Sequence, residues 1–194
     1  MSISKNDVIA ENRYLSAAEM AVNAEYIWNK LTAAGWSKNS VAAILGNMET
    51  ESTINPAIWE NLTPEPSNGF GLVQWTPSTK YSIWADANGY LYTDIDGQLA
   101  RLQYELDNGL QWITTESYPM TFAHFKVSTD SPETLAQAFL LNYERPADQN
   151  QPARSTQARK WFTRFAGGSP VVKTQKGLSK LLLYGTVIRR NVVR

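Results

Sequence analysis

The sequence predicts a mainly α domain, of the α+β kind, with a small β-hairpin inserted after its second helix. Three observations carry that expectation. Apolar residues recur at spacings of three and four along most of the first 166 positions, which is the helical period. Helix start and stop signals bracket those runs, and only Phe70-Gly71-Leu72-Val73-Gln74-Trp75 has the chemistry of a strand. The 194 residues, 43% of them hydrophobic and including seven Trp and nine Tyr, suffice for one compact core but not for two.

Each element has a local reason. Ser16 and Glu19 form a capping box ahead of the apolar face made by Met20, Ala24, Ile27 and Leu31, and Gly35 ends that helix. Ser37 or Ser40 caps the second helix. Its buried stripe is Val41, Ile44, Leu45 and Met48, and it runs on to Glu51 and Ser52 until Asn55-Pro56 breaks it. A segment rich in Pro and Asn leads to Gly69 and the expected hairpin. Thr76-Pro77 reads as an N-cap with Pro in the first helical position, opening a helix to about Ala87. Further helices are expected near Asp94, near Thr121, at Ser131-Pro132-Glu133 and near Ser155. The one from Pro132 turns Leu135, Ala138 and Phe139 inward and is halted by Pro146. Gly167-Gly168-Ser169-Pro170 is a linker signal, so residues 1–166 are expected to form the folded body and residues 167–194 a linker and tail.

Charge and composition narrow the function. Eighteen basic residues balance eighteen acidic ones, which argues against a polyanion-binding surface over the whole molecule and so against a nucleic-acid partner. The balance is uneven along the chain: residues 167–194 carry six basic residues and no acid, leaving the body at −6. With His124 the single histidine and no cysteine, neither a His-rich metal cage, a zinc-thiolate site, a disulfide nor a cysteine nucleophile is expected, and no cofactor is called for. The N-terminus lacks a continuous apolar stretch and no run of eighteen apolar residues occurs, so neither a Sec-type signal nor a transmembrane segment is expected.

Chemistry is concentrated between Asn47 and Thr76. On an ideal helix Glu51 lies roughly 70° from the centre of the buried stripe and Glu49 roughly 90° away on the other side, so helical geometry alone leaves both open. Glu51 differs in standing at the helix end, where a side chain can project into a cleft. That end is the negative pole of the helix, so a partly desolvated carboxylate there is expected to have its pKa raised. A carboxylic acid that keeps its proton near neutral pH is what glycosidic bond cleavage needs, because the leaving sugar oxygen is protonated as the bond breaks.

Glu51-Ser52, followed about twenty residues on by Gly69-Phe70-Gly71-Leu72-Val73-Gln74, resembles the paired signature of the lysozyme superfamily. The longer stretches are more specific. Leu45-Gly46-Asn47-Met48-Glu49-Thr50-Glu51-Ser52-Thr53-Ile54-Asn55-Pro56, then Gly69 through Pro77, then Tyr143-Glu144-Arg145-Pro146 resemble the phage tail lysozyme family from about Tyr14 to about Ala166. The resemblance implies a lysozyme-like fold and cleavage of the β-1,4 bond between N-acetylmuramic acid and N-acetylglucosamine. It makes Glu51 the general acid and Glu49 a non-catalytic neighbour. It also makes Gln74, Trp75, Thr76, Tyr143 and Phe70 substrate-binding positions. Peptidoglycan glycan strands and phage tail-knob proteins are the implied partners. A virion tail, assembled in the host cytoplasm and acting on the wall from outside, is the implied location.

A second carboxylate is harder to read. Glu60 and Glu65 lie in the loop between the motifs, and Glu60 is the candidate retained, while Gly69 to Thr76 carries no acid. That leaves room for a mechanism in which Glu51 acts alone, for a lytic transglycosylase giving 1,6-anhydro products, or for a non-catalytic glycan-binding module built on Trp59, Trp75 and Tyr143.

Overall fold

A computed structural model describes residues 3–167. Of the linker and basic tail expected over residues 167–194, residues 168–194 lie outside the described residues. The helices run α1 Ala17–Ala33, α2 Lys38–Ser52, α3 Thr79–Ala87, α4 Ile95–Asp107, α5 Phe122–Val127, α6 Pro132–Phe139 and α7 Pro152–Ala166, with a π-helical turn at Leu140–Glu144. The caps fall where local chemistry places them. Ser16 and Glu19 close the capping box on α1, Ser37 and not Ser40 caps α2, and Asp94, Thr121 and Ser131 cap α4, α5 and α6. Two boundaries differ from expectation. The helix expected at Thr76-Pro77 starts at Thr79, because the Ser78 N–H donates to the carbonyls of Pro66 (3.1 Å) and Asn68 (2.9 Å) and holds the preceding residues in the loop. The last helix starts at Pro152, which supplies the fixed φ of a first turn, ahead of Ser155.

The larger correction is the hairpin. Among the described residues Phe70 and Trp75 form an isolated antiparallel bridge, Phe70 forms another with Trp59, and no strand extends from either. Gly71 (φ +78°) and Gln74 (φ +49°) reverse the chain within four residues, leaving no length for a ladder. Burial accounts for the apolar composition: Phe70, Leu72, Val73 and Trp75 are all in the core.

At the centre lies α2, whose Val41, Ala42, Ala43, Ile44 and Leu45 are fully buried, with α1, α6 and α7 packed around it. The approach of α7 depends on Gly46. A Cβ there would stand 2.5 Å from the Arg154 carbonyl oxygen and 2.6 Å from the Ala158 nitrogen, both backbone atoms that no rotamer change can move. Gly46→Ala is therefore expected to destabilise the fold. The helix-propensity gain of about 1 kcal/mol is smaller than an overpacking cost of roughly 1–3 kcal/mol or more, and a lowered midpoint in thermal or denaturant melting checks the sign.

Candidate active site

The end of α2 is built to face the turn at Phe70–Trp75. Thr53 adopts a left-handed conformation (φ 52°) that stops the helix. Ser52, buried beside it, donates its Oγ hydrogen to the carbonyls of Met48 and Leu72, both at 2.9 Å, so one hydroxyl is shared between the helix end and the turn. From the other side Gln98 accepts from the Leu72 N–H (2.8 Å) and donates to the Pro56 carbonyl (2.6 Å). Between these pieces opens a cleft of about 400 Å³ whose walls include Tyr14, Glu51, Trp59, Glu60, Gln74, Thr76 and Glu144.

Glu49 and Glu51 are separated by what α7 offers them. Glu49 accepts from Lys160 Nζ (2.6 Å) and Trp161 Nε1 (2.8 Å), which ties it into the contact between α2 and α7. Glu51 lines the cleft with its side chain 21% exposed. Its Oε1 pairs with Nη2 of Arg154, a buried residue whose Nη1 donates to Asn47 Oδ1 (3.0 Å) and whose Nε donates to Gln151 Oε1 (2.7 Å). Asn47 is in turn anchored to the carbonyls of Ala43 (2.9 Å) and Ala136 (3.1 Å). Glu51 thus meets a guanidinium held by two other side chains, which fixes one of its oxygens and leaves the carboxyl at the cleft wall.

Reading the sequence for a second acid missed Glu144. It stands at the end of the π-helical turn, just before Arg145 reverses the chain in a left-handed conformation (φ 52°). The residue is half-buried, but its Oε1 is shielded from solvent and finds no hydrogen-bond partner among the described residues. Burial pushes the Glu144 carboxyl well above the usual carboxylate range. The charge of Glu51 adds to that, and the charge of Arg154 opposes it. Its signals in the sequence are an acid immediately after Tyr143 at a helix end closed by Pro146, and its place in Tyr143-Glu144-Arg145-Pro146, one of the stretches that carry the family resemblance.

Gln74 and Thr76 line the cleft. The Gln74 Nε2 donates to the carbonyls of Gly71 (2.9 Å) and Ile58 (3.3 Å), which braces the turn. Glu60 also lines the cleft, but it is exposed and accepts from the Gly69 N–H (2.9 Å); Glu65 is exposed and is not part of the wall. Phe70, Trp75 and Tyr143 sit in the core behind that wall, each less than 5% exposed. Trp75 Nε1 donates to Glu105 Oε1 (3.1 Å) and the Tyr143 hydroxyl donates to Glu105 Oε2, so their polar ends point inward. The aromatic side chains that do reach the cleft are Tyr14, 62% exposed, and the half-buried Trp59. Among the described residues no group of three His, Asp or Glu is placed to hold a metal ion, and no helix is long and apolar enough to cross a membrane.

The chain is 54% identical over 159 residues to morphogenesis protein 1 of Bacillus phage B103, an alignment that covers 81% of this chain and 43% of that protein. This chain therefore spans less than half the length of that relative. Residues 22–165, which include Glu51, Gln74 and Glu144 of the cleft, match the family described as phage tail lysozyme, and the chain belongs to that family.

Proposed function

We propose that this domain hydrolyses the β-1,4 bond between N-acetylmuramic acid and N-acetylglucosamine in peptidoglycan, with Glu51 as general acid, and serves as a virion tail component that opens the wall during entry. The observation that supports this most is the setting of Glu51, at a helix end in an open cleft, within a chain of the phage tail lysozyme family. The morphogenesis role named for the relative from phage B103 supports the virion location.

In this reading the glycan lies along the cleft with Tyr14 and Trp59 offering aromatic faces to pyranose rings. Glu51 gives its proton to the bridging oxygen, and the oxocarbenium-like centre left on the muramic acid ring is captured by water. Gln74 and Thr76 supply polar groups beside that centre.

The acid-free turn from Gly69 to Thr76 favours a second outcome, in which the sugar's own 6-hydroxyl captures the centre and gives a 1,6-anhydro product. Mass spectrometry of muropeptides released from purified peptidoglycan separates the two, since the anhydro product is lighter by one water. A dominant reducing muramic acid is the expected result. Binding of glycan with no release of either product would point instead to a non-catalytic module.

A further inference from the structure

Two carboxyl groups reach one cleft wall, and only one of them has a countercharge bonded to it. Glu51, from the end of α2, meets the guanidinium of Arg154 from α7. Glu144, from the π-helical turn, presents a shielded Oε1 with no donor aimed at it among the described residues. The other charges around it among the described residues do not supply one: Lys80 of α3 shares a neighbouring hollow with Glu144 but makes no hydrogen bond or ion pair with it. Glu105 on α4 is occupied by Arg101, Trp75 and Tyr143; Arg145, next in sequence, points its Nη1 at the carbonyls of Gln111 and Asn142; Glu60, across the cleft, is another acid. If both Glu51 and Glu144 were ionised, the single guanidinium of Arg154 would face two negative charges on a partly dewatered wall, and the shielded Oε1 of Glu144 would have no hydrogen bond from the described residues to offset its burial.

We propose that Glu51 and Glu144 hold one proton between them at neutral pH, and that Glu144 returns that proton to Glu51 in each turnover. This rests on the reading of Glu51 as general acid and adds its source of protons. Between turnovers the proton resides on Glu144, the carboxyl without a partner. When glycan fills the cleft and displaces water from Glu51, the proton passes to Glu51. Glu51 then gives it to the bridging oxygen, whose bond to the muramic acid anomeric carbon breaks with both electrons going to that oxygen. A water oxygen bonds to the carbon and releases a proton to the pair, restoring the starting count. Glu144 acts through Glu51 and is a positioning residue for the proton.

The test compares Glu51→Gln and Glu144→Gln in the full chain, following release of fragments from purified peptidoglycan between about pH 4.5 and 8.5. Glu51→Gln is expected to be inactive throughout. Glu144→Gln is expected to keep most activity at the acid end, where Glu51 takes its proton from solvent, while the alkaline limb of kcat/KM moves down by about one pH unit or more. Glu144→Asp is expected to restore the limb. A uniform loss with the limb unmoved would make Glu144 merely structural and overturn the pairing. So would inactivity of Glu144→Gln at every pH with the fold intact, which would make Glu144 the donating acid itself. Activity in Glu51→Gln would instead remove the reading of Glu51 on which the proposal stands. Infrared spectroscopy of the wild-type chain gives a readout that needs neither activity nor a folded variant: a protonated carboxyl band is expected at pH 7, and its absence would overturn the pairing.

Discussion

Glu51→Gln is expected to lower the rate of peptidoglycan cleavage by roughly 10²–10⁴, with the fold intact but the melting midpoint lowered, because the buried Arg154 loses its countercharge. The amide keeps the shape of the side chain and an oxygen for the Arg154 guanidinium, but it has no proton to transfer. Glu49→Gln is the matched control. It weakens the contact with Lys160 and Trp161, at a stability cost of about 1 kcal/mol, and leaves the cleft wall as it is. Kinetics on purified peptidoglycan alongside thermal melts separates the two variants. An inactive Glu49→Gln beside an active Glu51→Gln would reverse the assignment.

The second large effect is on stability and arises at Glu105. Its side chain, 2% exposed, accepts from Arg101 Nε at 2.9 Å, from Trp75 Nε1 at 3.1 Å and from the Tyr143 hydroxyl. Glu105→Ala is expected to cost about 3–5 kcal/mol, the range for breaking a buried ion pair by removing one partner. The value should fall toward the lower end, because Arg101 is 13% exposed and can recover some hydration. Tyr143→Phe removes a single hydrogen bond and is expected to cost far less. Denaturant unfolding of both variants measures the difference. Cleavage should fall along with stability in Glu105→Ala, because Trp75 belongs to the turn that carries Gln74 while Tyr143 directly precedes Glu144.

The helices were legible because their signals are local. A capping box at Ser16 and Glu19, or Ser131 before Pro132, acts within one turn of the chain, and the structure places both where the sequence puts them. The turn at Phe70–Trp75 misled because a short run rich in apolar and aromatic residues reports burial, and here burial comes from reversal within the core and not from a pleated strand. Choosing between Glu49 and Glu51 was beyond helical periodicity, since the residues that distinguish them, Lys160, Trp161 and Arg154, come from α7. Trp75 and Tyr143 carry the same limit: a motif reveals that an aromatic side chain is needed but not which way it faces. Glu144 was hidden more deeply, because its place beside Glu51 depends on a π-helical turn that no cap announces.

The contact between α2 and α7 sets an order on folding. The pairing of Glu51 with Arg154 joins residues 103 positions apart, and Gly46 admits α7 only along one close track. Contacts of such long reach form late, after the entropy of closing the intervening chain has been met. During synthesis α1 and α2 leave the ribosome well before α7, so Glu51 emerges with its guanidinium still unmade. The pairing that fixes the Glu51 carboxyl is therefore expected to be completed only when α7 docks on α2 and brings Arg154 to it.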